Sequence, residues 1–193
     1  MSIEKASSTD TVAAGVSATR SFGEGLKGGG VFKIACHSED GSLKWEAESH
    51  NLVVNVGLQD MNTKYFSGSS YTATWFLGLY GSGSTNNPAD GDTMASHAGW
   101  TEVTAYSQST RPACSFGTAT TADPSVISNS ASPATYSING TTVVGGAFLT
   151  SNNTKGGTTG ILFSAADFQA PGDRSVVSGD TITVSYTFSL DAA

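Results

Sequence analysis

Two stretches of strict alternation limit what this protein can fold into. In residues 31–54, VFKIACHSEDGSLKWEAESHNLVV, strand-like runs flank Glu39-Asp40-Gly41, and near the end Ile182, Val184, Tyr186 and Phe188 share one face with Thr or Ser opposite. Successive strand side chains point to opposite faces, so this pattern describes half-buried strands and not helices. Asp-Gly between alternating runs is a hairpin signal, because such turns need residues that accept positive φ.

Further runs continue the pattern. TWFLGLYG, WTEVTAYS, RPACSFGTATT, ATYSINGTTVVGGAFLTS and GILFSAADF read as strands, and Asn139-Gly140 predicts a second hairpin. Leu58, Met61 and Tyr65 stand at helical spacing, which predicts one short amphipathic helix over residues 57–66. Eight or nine short strands, a single helix and no alternation of strands with long helices predict an all-β protein, a β-sandwich of jelly-roll-like type. Composition agrees. Gly (23), Ser (28) and Thr (24) make up about two fifths of the 193 residues, while charged residues supply 13% against about a quarter in an average domain. Long solvent-exposed helices are therefore not expected, yet 38% hydrophobic content is enough for one core.

Residues 1–30 differ from the rest. Phe22 is their only aromatic, periodicity is absent, and FGEGLKGGG closes the stretch, so it reads as an extended, flexible N-terminal arm preceding a sandwich domain of residues 31–193. The opening MSIEKASSTD lacks the basic start and apolar segment of a signal peptide, which predicts synthesis in the cytoplasm. A net charge of −7 with no basic cluster argues against nucleic-acid binding, and no apolar run reaches the roughly 20 residues of a membrane span. Cys36 and Cys114 form neither a disulfide framework nor a zinc spacing and are expected as free, buried thiols.

Several groupings resemble sites and are better explained otherwise. Gly23-Glu24-Gly25-Leu26-Lys27-Gly28 matches GxGxxG without the strand before it and the helix after it that dinucleotide binding requires, so it is read as a hinge. His37 and His50 flank the first hairpin with Glu39, Glu46 and Glu48 nearby; a divalent site is conceivable there, but a solvated polar face is the expectation. Asp90-Gly91-Asp92, in the long segment SGSTNNPADGDTMASHAG, is half of a calcium pattern and reads as a turn. Asn139-Gly-Thr and Asn152-Asn-Thr fit a glycosylation pattern but are read as turns. Ser residues are plentiful, yet no nucleophile elbow is present. Among Trp45, Tyr71, Trp75, Tyr80, Trp100 and Tyr106, most are expected in the core, with Trp100 at the end of the long loop as the candidate exposed anchor. No catalytic, cofactor-binding or metal residue is assigned.

The segments HNLVVNVGLQDM, TWFLGLYG and ADGDTMASHAGWTEVTAYSQSTRPA, followed by SNSASPATYSI, VVGGAFLTSNNTKGGTTGILFSAADF and VSGDTITVSYTFSL, resemble a family of small structural proteins encoded near the capsid genes of tailed bacteriophages. The resemblance spans roughly residues 50–190, with DTMASHAGWTE and AFLTSNNTKGG its most specific parts, and the first hairpin also looks typical of such proteins. It implies a non-enzymatic virion component without cofactors. The role expected from it is that of a capsid decoration, or cement, protein on the capsid exterior, made in the host cytoplasm. Its partners would be the major capsid protein and further copies of itself, a homotrimer first and a homodimer second. A tail, fibre or glycan-recognising receptor-binding module is the alternative.

Overall fold

The computed structural model describes residues 25–68, 71, 74–82, 88–168 and 172–192. The first hairpin is present as expected. β1 (Leu26–His37) and β2 (Leu43–His50) pair antiparallel. At their turn, Asp40 Oδ1 accepts from Ser38 Oγ at 2.6 Å and from the Ser42 N–H at 2.9 Å. Gly41 takes φ +85°, a conformation that any larger residue disfavours.

β1 begins at Leu26 and not after residue 30. Leu26–Gly30 pair with residues 188–192 of the last strand, β12 (Thr181–Ala192), so the Gly-rich end assigned to the arm is sheet. Glycine is required there because the rings of the last strand lie over it: a Cβ on Gly30 would come 2.5 Å from the Tyr186 hydroxyl. Residues 1–24 lie outside the described residues. Where β2 ends, Asn51 continues the ladder. Its N–H donates to the Gly30 carbonyl, its Oδ1 accepts from the Gly30 N–H, and its Nδ2 donates to Tyr186 Oη.

One sheet runs β2-β1-β12, and the far edge of β12 is shared by β6 (Ser125–Ser128) and β7 (Ala134–Ser137). The facing sheet has the order β3 (Leu52–Val53), β10 (Leu162–Asp167), β9 (Gly146–Thr150), β4 (Phe76–Ser82), β5 (Trp100–Glu102). A small two-stranded sheet joins β8 (Thr142–Val144) to β11 (Arg174–Val176). All these pairings are antiparallel, and the protein is an all-β sandwich, with one short helix among the described residues.

Phe32, Ile34 and Cys36 of β1 and Ile182, Val184 and Tyr186 of β12 face Leu77, Leu79, Leu149 and Phe163 across the interior. A second cluster covers the opposite face of the β3–β5 sheet: Val54, Tyr80, Met94, Trp100, Phe148, Leu162 and Ala165. This explains why β9 is buried at every position, whereas β7 alternates. A sheet covered on both faces carries a continuous apolar run.

Three expectations are corrected. Asn139-Gly140 is not a hairpin, because β7 pairs with β12 and β8 with β11, so the dipeptide is a corner between two sheets. WTEVTAYS and RPACSFGTATT do not form full strands. Only Trp100–Glu102 is a strand, and the rest is held through isolated bridges at Tyr106–Ile138 and Phe76–Ala113. The helix α1 (Asn55–Phe66) exists, but it buries Gly57 and half-buries Asp60, Met61 and Lys64, leaving Leu58 and Tyr65 outward. Gly57 sets that orientation, since a Cβ there would overlap the Phe163 carbonyl of β10.

Candidate functional site

The structure separates the residues that the sequence placed side by side. His37 pairs opposite Leu43 and His50 opposite Val31, at the two ends of the hairpin, about 20 Å apart along β1 at roughly 3.3 Å per residue. Glu48 is engaged by Lys33 at 2.9 Å on the exposed surface. No group of three or more metal-ligating residues forms among the described residues. In the GxGxxG stretch, Leu26–Gly28 belong to β1 and no helix N-terminus follows, while Gly23 and Glu24 lie outside the described residues.

The loop ahead of β5 closes on itself. Asp92 is buried, and its Oδ2 accepts from Trp100 Nε1 and from the Ala89 N–H, each at 3.0 Å. Its carboxylate thus braces the loop. Trp100, the candidate for an exposed anchor, is only 2% exposed; it lies against Tyr80 and Phe148, and the His97 ring stacks on it at 3.8 Å. Tyr80 and Tyr106 are core residues as expected, and Trp45 and Trp75 pack half-buried against the core.

A residue that the sequence did not single out organises this end of the sandwich. Arg111 is fully buried and lies over the Phe148 ring at 5.3 Å. Its Nε and one terminal nitrogen donate to the two Glu102 oxygens at 2.9 and 2.7 Å. Its remaining bonds go to the Asn152 and Gly157 carbonyls at 2.9 and 2.7 Å, and the Gly156 N–H donates to Glu102. Planar guanidinium and carboxylate fit each other in this two-point manner. Lys155 Nζ adds bonds to the Tyr106 and Gln108 carbonyls. The cluster locks the segment after β5 to the loop after β9, and its bonds are all internal.

A second brace joins the hairpin to the start of β12. Lys44 Nζ lies 2.6 Å from Asp180 Oδ2, which also accepts from the Val177 N–H. Burial pushes the Asp180 carboxyl up, but Lys44 and the Val177 N–H outweigh it and hold the group below the usual carboxylate range. Cys36 beside it is raised to about 11, by burial first and by Asp180 second, and Cys114 to about 12 by burial alone. Both are free, buried thiols, as expected.

The outward face of α1 and the segment after it present Leu58 (49% exposed), Tyr65 (83%), Phe66 (78%) and Tyr71 (44%). Tyr65 and Phe66 meet edge to face at 4.9 Å, and Lys64 Nζ sits over the Tyr71 ring at 5.3 Å. Large aromatic residues gathered on the surface are the usual chemistry of protein-binding anchors. A shallow open groove, lined by Thr101, Glu102, Thr104 and Thr142, runs beside β5 and has no enclosed interior. Among the described residues no helix is long and apolar enough to cross a membrane.

A scan of protein-family models and searches of curated proteins and of solved structures find no significant match to this sequence.

Proposed function

We propose that this protein is a structural component of a bacteriophage virion, bound to the exterior of the head, where it decorates and stabilises the shell by bridging neighbouring capsomers. Its partners in this reading are the major capsid protein and copies of itself, in a closed homotrimer before a homodimer, and its strand order is a variant of the jelly roll. The observation that carries the proposal is the exposed Leu58, Tyr65, Phe66 and Tyr71 face. It offers desolvatable aromatic area on a fold whose buried charges are already bound internally. Many copies bound to a shell favour the assembled lattice by mass action, and a sandwich braced at Arg111 and Asp180 is a rigid body for that task.

The experiment is co-sedimentation of the full-length protein with undecorated capsids. The variant Tyr65→Ser/Phe66→Ser, whose changes lie on the surface, is expected to keep its thermal transition and to lose most capsid binding. Unchanged binding would remove this face from the proposal.

The receptor-binding alternative draws on one observation, the half-exposed Tyr71 beside Lys64, since an exposed tyrosine can stack on a sugar. Trp100 is lost to it as an anchor by burial. Binding of the purified protein to host cells, abolished by Tyr71→Ala, would favour that reading.

A further inference from the structure

We propose that Asn139-Gly140 is a site of spontaneous covalent modification, in which the folded protein converts Asn139 to aspartate and isoaspartate. The inference is independent of the capsid reading. The sequence has a single Asn-Gly dipeptide, and the fold puts it at the corner where the backbone leaves β7 of one sheet for β8 of another. Asn139 is exposed. Its own N–H is fixed on the Ala105 carbonyl at 3.2 Å. Beyond that point the restraint stops: among the described residues neither the Asn139 amide group nor the Gly140 N–H has a hydrogen-bond partner.

Those two free groups are the reactants. The Gly140 backbone nitrogen, deprotonated by hydroxide, attacks Asn139 Cγ. A bond forms between that nitrogen and Cγ, the Cγ–Nδ2 bond breaks, and ammonia leaves with the proton returned by water, giving a five-membered succinimide. Water then opens the ring at either carbonyl, to aspartate or to isoaspartate. Glycine after the asparagine leaves the attacking nitrogen unhindered, and its permissive backbone reaches the required conformation readily.

Three other asparagines are held by their side chains, and none of the rest is followed by glycine. The Asn51 amide group bonds Gly30 and Tyr186, Asn129 Oδ1 accepts from the Tyr186 N–H at 2.6 Å, and Asn152 Oδ1 accepts from the Thr154 N–H at 2.8 Å. In Asp40-Gly41, which could pass through the same ring, the carboxylate is engaged by Ser38 and Ser42. The structural consequence at residue 139 is specific. Isoaspartate lengthens the backbone by one methylene at the sheet-crossing corner and adds a carboxylate to a residue bonded to Ala105, which lines the groove.

The test is incubation of the full-length native protein at 37 °C at neutral and mildly alkaline pH, read by peptide mapping, isoaspartate detection and isoelectric focusing. Asn139 is expected to convert before any other asparagine, faster at the higher pH, with the net charge moving from −7 to one unit more negative. Gly140→Ala should slow conversion several-fold while the fold is kept, because its Cβ would meet only Ala105 Cβ at 3.6 Å, an ordinary contact. If Asn139 stays intact in the native protein while converting in urea, or if another asparagine converts first, the proposal is overturned.

Discussion

Removing the Arg111 guanidinium tests whether the end of the sandwich is held by a dry ion pair. Arg111→Met keeps an unbranched stem over Phe148 but deletes the bidentate pairing to Glu102 and the bonds to Asn152 and Gly157. The Glu102 carboxylate arm is 9% exposed, so it would be left with the Gly156 N–H as its remaining donor. Breaking a buried pair by removing one partner costs about 3–5 kcal/mol, whereas an exposed pair is worth about 0–1 kcal/mol. The fully buried arginine places this pair in the first class. The assay is urea unfolding followed by intrinsic fluorescence, since Trp100 and Tyr80 lie in the same cluster. Arg111→Met should lower the midpoint by the equivalent of about 3–5 kcal/mol, and Arg111→Met/Glu102→Leu should recover much of that loss, because no unpaired charge remains. A single-variant loss under about 1 kcal/mol, or a double variant as unstable as the single, would refute the reasoning.

Other consequences can be checked more simply. Gly78→Ala drives a Cβ into the Phe148 ring and should destabilise by roughly 1–3 kcal/mol or more, measured by thermal unfolding. At pH 8 neither thiol should react appreciably with iodoacetamide in the native protein, because Cys36 at about 11 and Cys114 at about 12 are almost wholly protonated and buried; both should react in urea. Asp40 is held at about 2, by Ser38 first and then Ser42. A depressed carboxylate contributes stability above its unfolded value of about 3.9 and loses it as pH falls through about 2. Asp40→Asn should therefore flatten the fall in melting temperature across that window relative to the parent protein.

The elements that were legible in the sequence are those fixed by local chemistry. Period-2 alternation marked β1, β2 and β12, and Asp40-Gly41 marked the turn of the first hairpin, since backbone conformation and a short polar residue sufficed there. The helix was legible in existence and not in orientation. Its stripe of Leu58, Met61 and Tyr65 suggested one buried face, but close approach to the Phe163 carbonyl selected Gly57 instead, which left aromatic residues on the surface. Asn139-Gly140 shows the same limit, because turn chemistry permits a reversal but does not say which strand receives the backbone afterwards.

By itself, then, the sequence determined that this is an all-β protein with few charges and a tight first hairpin. These properties follow from residue periodicity and turn residues, which act over a few positions. Only the tertiary structure decided that Trp100 is buried, that Asp92 and Arg111 are braces, that His37 and His50 stand apart, and that Tyr65 and Phe66 face outward. Each of those depends on which distant segment arrives to desolvate a residue or to bond it, and a contact between residues tens of positions apart leaves no period in the sequence.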